Sequence, residues 1–380
     1  LSVNASLEGN DVYSDLNYGS ASDLTYTKRF EEGFGSFTVN GRGNINQYSF
    51  LDLQSAEYRI KRYEYDISSG FLYIASENIR NNSEIGFYSR NRDSYRDGES
   101  IGFNSNSNFQ ISDEIFYNRD GFSGSMRLDF DTGSDKFSVD YDENDKSLSY
   151  YNFAISPHLN YRYSDYRFTL SGRYVKHEYK SLTISNLEDR DIIKLMVTPE
   201  AAYSRYGFLT VVQSFPLEYY RLINISSQRS INNYIDRAVA SNTDLRYDLN
   251  EKLYLTGNIK FRSYYRSYDY DETYSNSFVI KNYSAADTVS YSFSRTADLK
   301  LSARYIYEEF GNFNFDSFTE NPVNFKHHYY SSASFLYRMF TGFLFRTEYY
   351  YYEIDSYDFD QEDFSKDDLK RVYISHGPKL

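Results

Sequence analysis

Leu253-Tyr254-Leu255-Thr256-Gly257-Asn258-Ile259-Lys260-Phe261-Arg262-Ser263 separates cleanly into odd and even positions. Leu253, Leu255, Gly257, Ile259 and Phe261 form one set; Tyr254, Thr256, Asn258, Lys260 and Arg262 form the other. Successive side chains of a strand point to opposite faces, so the stretch is a strand with one apolar and one polar face. Four further runs repeat the pattern. Phe37, Val39 and Ile45 alternate with Asn40, Arg42 and Asn44, and Phe122, Met126, Leu128 and Phe130 with Arg127, Asp129 and Asp131. Phe168, Leu170 and Tyr174 alternate with Thr169, Ser171 and Arg173, and Leu299, Leu301, Ala303 and Tyr305 with Lys300, Ser302 and Arg304. No stretch has the 3.6-residue period of an amphipathic helix. The chain is all-β.

Composition explains how such strands can fill 380 residues. There are 44 Tyr and 30 Phe, too many aromatics for a disordered chain. Yet mean hydropathy is −0.68, so the apolar residues are dispersed among polar ones. The absence of Cys excludes disulfides, thiolate metal sites and a Cys nucleophile. A net charge of −13 removes the electrostatic basis for binding nucleic acid. No run approaches the length of a spanning helix, and the first residues carry neither the basic nor the apolar region of a signal peptide.

Two architectures accept many half-polar strands. A soluble sandwich turns the apolar faces inward and uses strands of roughly 5–6 residues. An outer-membrane barrel turns them toward lipid, lines a wet lumen with the polar faces, and needs roughly 9–11 residues per crossing. The runs here have the longer length, and their polar faces carry Arg, Lys, Asp and Asn. Tyr clusters at run ends, such as Tyr219-Tyr220, Tyr264-Tyr265 and Tyr349-Tyr350-Tyr351-Tyr352, fit an aromatic girdle at the membrane interface. Trp, which usually shares that role, is absent.

The reading is therefore a single transmembrane antiparallel up-and-down β-barrel over residues 1–380, with about 20 strands (roughly 18–22). Short periplasmic turns are expected near Glu31-Glu32, Ser68-Ser69, Ser112, Asp131 to Asp135, Ser164-Asp165, Arg205-Tyr206, Leu249 to Glu251, Arg295 to Ala297 and Met339-Phe340. Longer extracellular loops are expected near Asn10, Phe50, Arg92 to Gly98, Arg119-Asp120, Glu143 to Asp145, Lys180 to Asp191, Asn224 to Asp236, Asp269 to Asn282, Gly311 to Asn324 and Asp355 to Asp368.

Three runs look like strands of an outer-membrane barrel: Leu24 to Phe30, Ile155 to Tyr163 and Val197 to Ser204. The phrases ISPHLNYRYSDYRFTLSGRYV, beginning at Ile155, and FPLEYYR, beginning at Phe215, resemble the barrels of TonB-dependent receptors from Bacteroidota. The resemblance covers most of the chain in texture and implies a Gram-negative outer-membrane transporter. It departs in two respects. Such receptors carry an N-terminal plug and a TonB-contacting segment, for which this chain has no room. Their barrels usually end on Phe or Tyr, whereas this chain ends His376-Gly377-Pro378-Lys379-Leu380, as an incomplete chain would.

Catalytic motifs dissolve on inspection. Asp131-Thr132-Gly133-Ser134 matches one half of an aspartic-protease site, but no second Asp-Thr-Gly exists, so a hairpin turn is expected. Asp140 to Asp145 begins like a calcium loop yet lacks Gly at the sixth position and has Tyr151 at the twelfth. The acidic segment Asp355 to Asp368 reads as a solvated loop, with loose divalent-cation binding as the alternative. His327 and His328 are adjacent, so on a strand they point apart and share no metal. No enzyme, metal or cofactor is expected.

The expected function is passage of solutes across the outer membrane, as a porin-like pore or as the barrel of a TonB-dependent-type transporter. The alternative is a scaffold or adhesion barrel binding partners through its loops. Candidate lumen residues are Arg42, Arg127, Asp129, Asp140, Arg173, Lys260, Arg262, Lys300, Arg304, Arg346 and Glu348. Expected partners are outer-membrane lipid and lipopolysaccharide, a small solute or nutrient, and a plug or partner protein.

Overall fold

The computed structural model describes residues 2–379 apart from 13–14, 30–34, 52–56, 140–146, 182–187, 206, 271–272, 274, 341–342, 361–364 and 367–370. The chain divides into two compact units. The first comprises Leu1–His158, Gly172–Lys194 and Leu222–Ser230; the second comprises Leu159–Ser171, Leu195–Arg221 and Ile231–Leu380.

In the first unit β1 (Ser2–Val12), β2 (Asp15–Arg29), β3 (Gly35–Leu51), β4 (Glu57–Ser76), β5 (Ile79–Arg96), β6 (Glu99–Arg119) and β7 (Phe122–Val139) each pair antiparallel with the next. The strands β8 (Leu148–Tyr163), β9 (Tyr166–Ser181) and β10 (Arg190–Arg205) give residues to both units. Two short strands follow, β11 (Leu209–Ser214) and β12 (Leu217–Asn224), separated by Phe215-Pro216, since proline has no N–H to continue the ladder. The second unit continues through β13 (Tyr234–Asn250), β14 (Leu253–Tyr268), β15 (Phe278–Ser294), β16 (Ala297–Asn314), β17 (Thr319–Phe340) and β18 (Phe343–Asp360), again antiparallel in sequence order. β19 (Ser365–Lys366) and β20 (Arg371–Lys379) both pair with β18. The antiparallel up-and-down arrangement and the strand number follow the expectation. Among the described residues no helix is long and apolar enough to cross a membrane.

Strand lengths in the first half do not follow it. β4 has 20 residues and β6 has 21, and three expected turns lie inside strands. Ser68 pairs with Gly86, Ser112 with Asp129, and Gly133 with Asn108. Asp131-Thr132-Gly133-Ser134 is thus mid-strand and no hairpin turn. Ser and Asp signal turns by composition, but here Ser68, Ser112 and Asp131 belong to the polar face of long strands, so composition alone misplaces the break. Gly133 has a packing reason: a Cβ there would lie 2.6 Å from Tyr150 Oη and 2.2 Å from the Ser107 carbonyl oxygen. The true turn at Glu77-Asn78 was missed. The loop expected from Arg92 to Gly98 is also strand as far as Arg96, and it and the one at Arg119-Asp120 reduce to tight Asp97-Gly98 and Asp120-Gly121 turns with both residues at positive φ, as Asp-Gly hairpins have. Turns at Ser164-Asp165, Glu251-Lys252 and Arg295-Thr296 lie where expected; Glu31-Glu32 and Glu143 to Asp145 fall outside the described residues.

Few large side chains are covered. The buried apolar set among the described residues consists mostly of Ala and Val, with Phe313 and Phe325, whereas Ile67 is 56% exposed, Ile115 50% and Ile259 64%. A sandwich would bury those three against a second sheet. Here the apolar faces are left open.

Candidate functional site

Register carries the alternation of single strands across whole sheets. In the first unit Arg42 lies opposite Asp66, and Asp66 opposite Tyr88. Arg127 lies opposite Glu114, and Asp129 opposite Ser112, which faces Glu84. All these side chains share one face. The other face carries Ile67, Phe87 and Phe109 in one row and Ile85, Ile111 and Phe130 in another.

On the polar face of this unit is a recess of about 300 Å³ lined by Glu84, Arg127, Asp129, Asp131, Asn152, Arg173 and His177 among others. Three residues singled out in the sequence, Arg127, Asp129 and Arg173, therefore converge. Arg127 Nε donates to Asp129 Oδ1 at 2.8 Å. The Asn152 amide donates to Asp131 Oδ2 at 2.8 Å and its carbonyl oxygen meets His177 Nδ1, while Asp131 Oδ1 is buried without a partner. Asp131, Asn152 and His177 were not foreseen; Asp131 was hidden by its assignment to a turn. Asp140 lies outside the described residues.

In the second unit the six predicted residues share one face. Lys260 pairs with Ser284, Arg262 with Asn282, Arg304 with Ala286, Lys300 with Ser290 and Ser334, Glu348 with Ser334, and Arg346 with Leu336. Most charges of this face are locally neutralised. Arg262 meets Glu218 at 2.9 Å, Arg246 meets Asp248 at 3.1 Å, and Arg346 meets Glu348 at 3.2 Å. Arg266 grips Asp236 with two hydrogen bonds of 2.8 and 2.9 Å. Lys260, Lys300 and Arg304 have no acidic partner among the described residues. They flank β15, whose side chains on this face are the small Ser284, Ala286, Thr288 and Ser290. A neighbouring recess of about 390 Å³ is lined by Thr210, Asp244, Arg246, Asn258 and Ala286. Asp244, Arg246 and Asp248 were legible as three charges of equal parity but were passed over.

The opposite face of this unit carries an aromatic band. Ring centroids are 4.9 Å apart for Phe261 and Tyr283, 5.8 Å for Tyr283 and Tyr307, and 5.3 Å for Tyr305 and Tyr329. Each Tyr cluster gives only alternate members to it: Tyr349 and Tyr351 share this face, Tyr350 and Tyr352 the polar one. His327 and His328 part as expected, the first against Tyr305 Oη at 2.7 Å and the second against Tyr352 Oη at 3.1 Å.

No family model and no curated protein matches the chain. Solved structures do. The outer membrane transporter YddB from Escherichia coli is similar with a TM-score of 0.51 at 10% identity, over 90% of this chain and 55% of that one. The siderophore receptor PirA from Acinetobacter baumannii gives 0.51 at 7% identity, over 98% and 72%. FpvA of P. aeruginosa, solved with bound pyoverdine, gives 0.50 at 12% identity, over 96% and 56%. The chain thus spans little more than half the length of two of these proteins. At such identities the likeness is one of fold. The fold is that of an outer-membrane β-barrel.

Proposed function

We propose that residues 1–380 form one outer-membrane barrel that gives passage to solutes, with the polar faces lining its lumen and the apolar faces in lipid. The observation that carries this reading is the division of every well-described sheet into an open apolar face and a charged one. A closed barrel leaves no unpaired strand edge in lipid, and a lumen of fixed charges selects by size, charge and hydrogen bonding. Arg42, Arg127, Asp129, Arg173, Lys260, Arg262, Lys300, Arg304, Arg346 and Glu348 are its proposed lining. Most are held in ion pairs or recesses that shape the wall. Lys260, Lys300 and Arg304 are the exceptions, and as unpaired cations they favour anionic solutes in an otherwise acidic protein.

The similar structures named as transporter and siderophore receptor support transport over a scaffold role. The test is conductance in a planar bilayer. The purified protein should conduct with a preference for anions, and replacing Lys260, Lys300 and Arg304 together with Glu should reverse that preference. A silent protein would mean that a plug or partner closes the lumen, which favours the energised-receptor form. Conductance indifferent to the triple substitution would remove these residues from the lumen.

A further inference from the structure

Among the described residues, the apolar face of β13–β16 is interrupted by one charge within ten residues of the Glu251-Lys252 and Arg295-Thr296 turns. Arg237 and Lys281 belong to the same face but lie beside the nine-residue connections 225–233 and 269–277, and Glu309, at the far end of β16, meets Lys281 at 3.6 Å. Asp287 sits seven residues before Ser294, the end of β15, midway between Tyr283 and Tyr291 on that face. Its row across the sheet is Gly257, Asp287, Ala303 and Ser331. The rows on either side hold Ile259 and Tyr305, and Leu255, Val289 and Leu301.

Asp287 is exposed and has neither a hydrogen bond nor an ion pair among the described residues. Its carboxylate leans over Gly257, so that a Cβ there would lie 2.9 Å from Oδ1. Gly257 and Ala303 offer no donor, and Ser331 stands two strands away, roughly 10 Å by strand spacing. If this face meets lipid, as proposed above, Asp287 is a carboxylate in hydrocarbon with nothing in its own sheet to satisfy it. Such groups are costly and mark places where another molecule is met.

We infer that Asp287 is the contact point for a second, different membrane-embedded polypeptide, one whose facing segment presents a Lys or Arg head group. Charge complementarity selects that chemistry. A second copy meeting across a twofold axis would set Asp287 near its own equivalent, and like charges disfavour it. The small residues beside Asp287 allow the partner's backbone to approach closely, as membrane interfaces require.

The test places a photo-crosslinking residue at Ala303 in cells and reads the product from intact outer membranes. A discrete heterodimer is expected whose crosslinked peptide contains Lys or Arg within an apolar segment. Asp287→Lys should reduce its yield at least tenfold, Asp287→Glu should retain it, and reversing the partner's cation to Asp should restore it in the Asp287→Lys background. A homodimer, a lipid adduct alone, or a heterodimer unaffected by Asp287→Lys would overturn the inference. Heat-modifiable migration of each variant reports folding. Loss of that behaviour in the parent protein would sink the outer-membrane reading itself, whereas intact migration with no Asp287-dependent product sinks only this contact.

Discussion

Exchanging charge at two adjacent residues tests which face meets lipid. Ile259 is the seventh residue of β14, lies between Thr243 and Ala285 on the apolar face, and is 64% exposed. Arg at the midplane of a lipid face costs roughly 2–4 kcal/mol, and each 1.4 kcal/mol is tenfold, so Ile259→Arg should lower the folding constant by roughly 30- to 700-fold. Lys260 points the other way, between Asn242 and Ser284, and makes no ion pair among the described residues. Lys260→Glu therefore breaks no pair, and its cost should stay within about 1 kcal/mol, the scale of an exposed charge pair. The assay is refolding into lipid vesicles, scored by the shift between unheated and boiled protein on a gel and by the urea midpoint. Ile259→Arg should lose most of the shifted band while Lys260→Glu keeps it. If Lys260→Glu failed to fold and Ile259→Arg folded normally, the faces would be inverted and the apolar one would have to be an interior.

Two further substitutions probe the frame around the polar faces. Arg266 and Asp236 are 26% and 13% exposed and joined by two hydrogen bonds, so Asp236→Ala should destabilise by about 1–3 kcal/mol, measured as a lowered urea midpoint. Arg266→Lys should recover only part of the pairing, because a single ammonium cannot reproduce the two-point fit. Gly133→Ala should cost about 1–3 kcal/mol by overpacking, and Tyr150→Ala should relieve only part of it, since the Ser107 carbonyl also stands 2.2 Å from the added Cβ. Full rescue by Tyr150→Ala would show that the backbone contact is soft.

Much of the polar face was legible from parity alone. Arg127 and Asp129, or Lys300 and Arg304, keep one side of a strand whatever their neighbours, so their assignment needed no partner strand. The loops expected near Arg92 to Gly98 and Arg119-Asp120 are two-residue turns because Asp-Gly accepts positive φ twice in succession. The breaks near Ser68, Ser112 and Asp131 were misread because a small polar residue has the same meaning locally in a turn and on a wet strand face. Only the ladder, by setting Ser112 beside Asp129 and Gly133 beside Asn108, separates the two.

What the sequence by itself determined is the period of two, and with it the all-β class and the two-faced character of each strand, because alternation is a property of consecutive residues. What the tertiary structure decided is everything that depends on register. Arg262 and Glu218 are 44 residues apart in sequence and meet at 2.9 Å, while Lys260, two positions away, meets no acid among the described residues. Asp287 is one Asp among many until pairing sets Gly257 and Ala303 on either side of it. A charge's energy depends on what stands within a few ångströms across the sheet, and adjacent positions in a ladder come from distant parts of the chain.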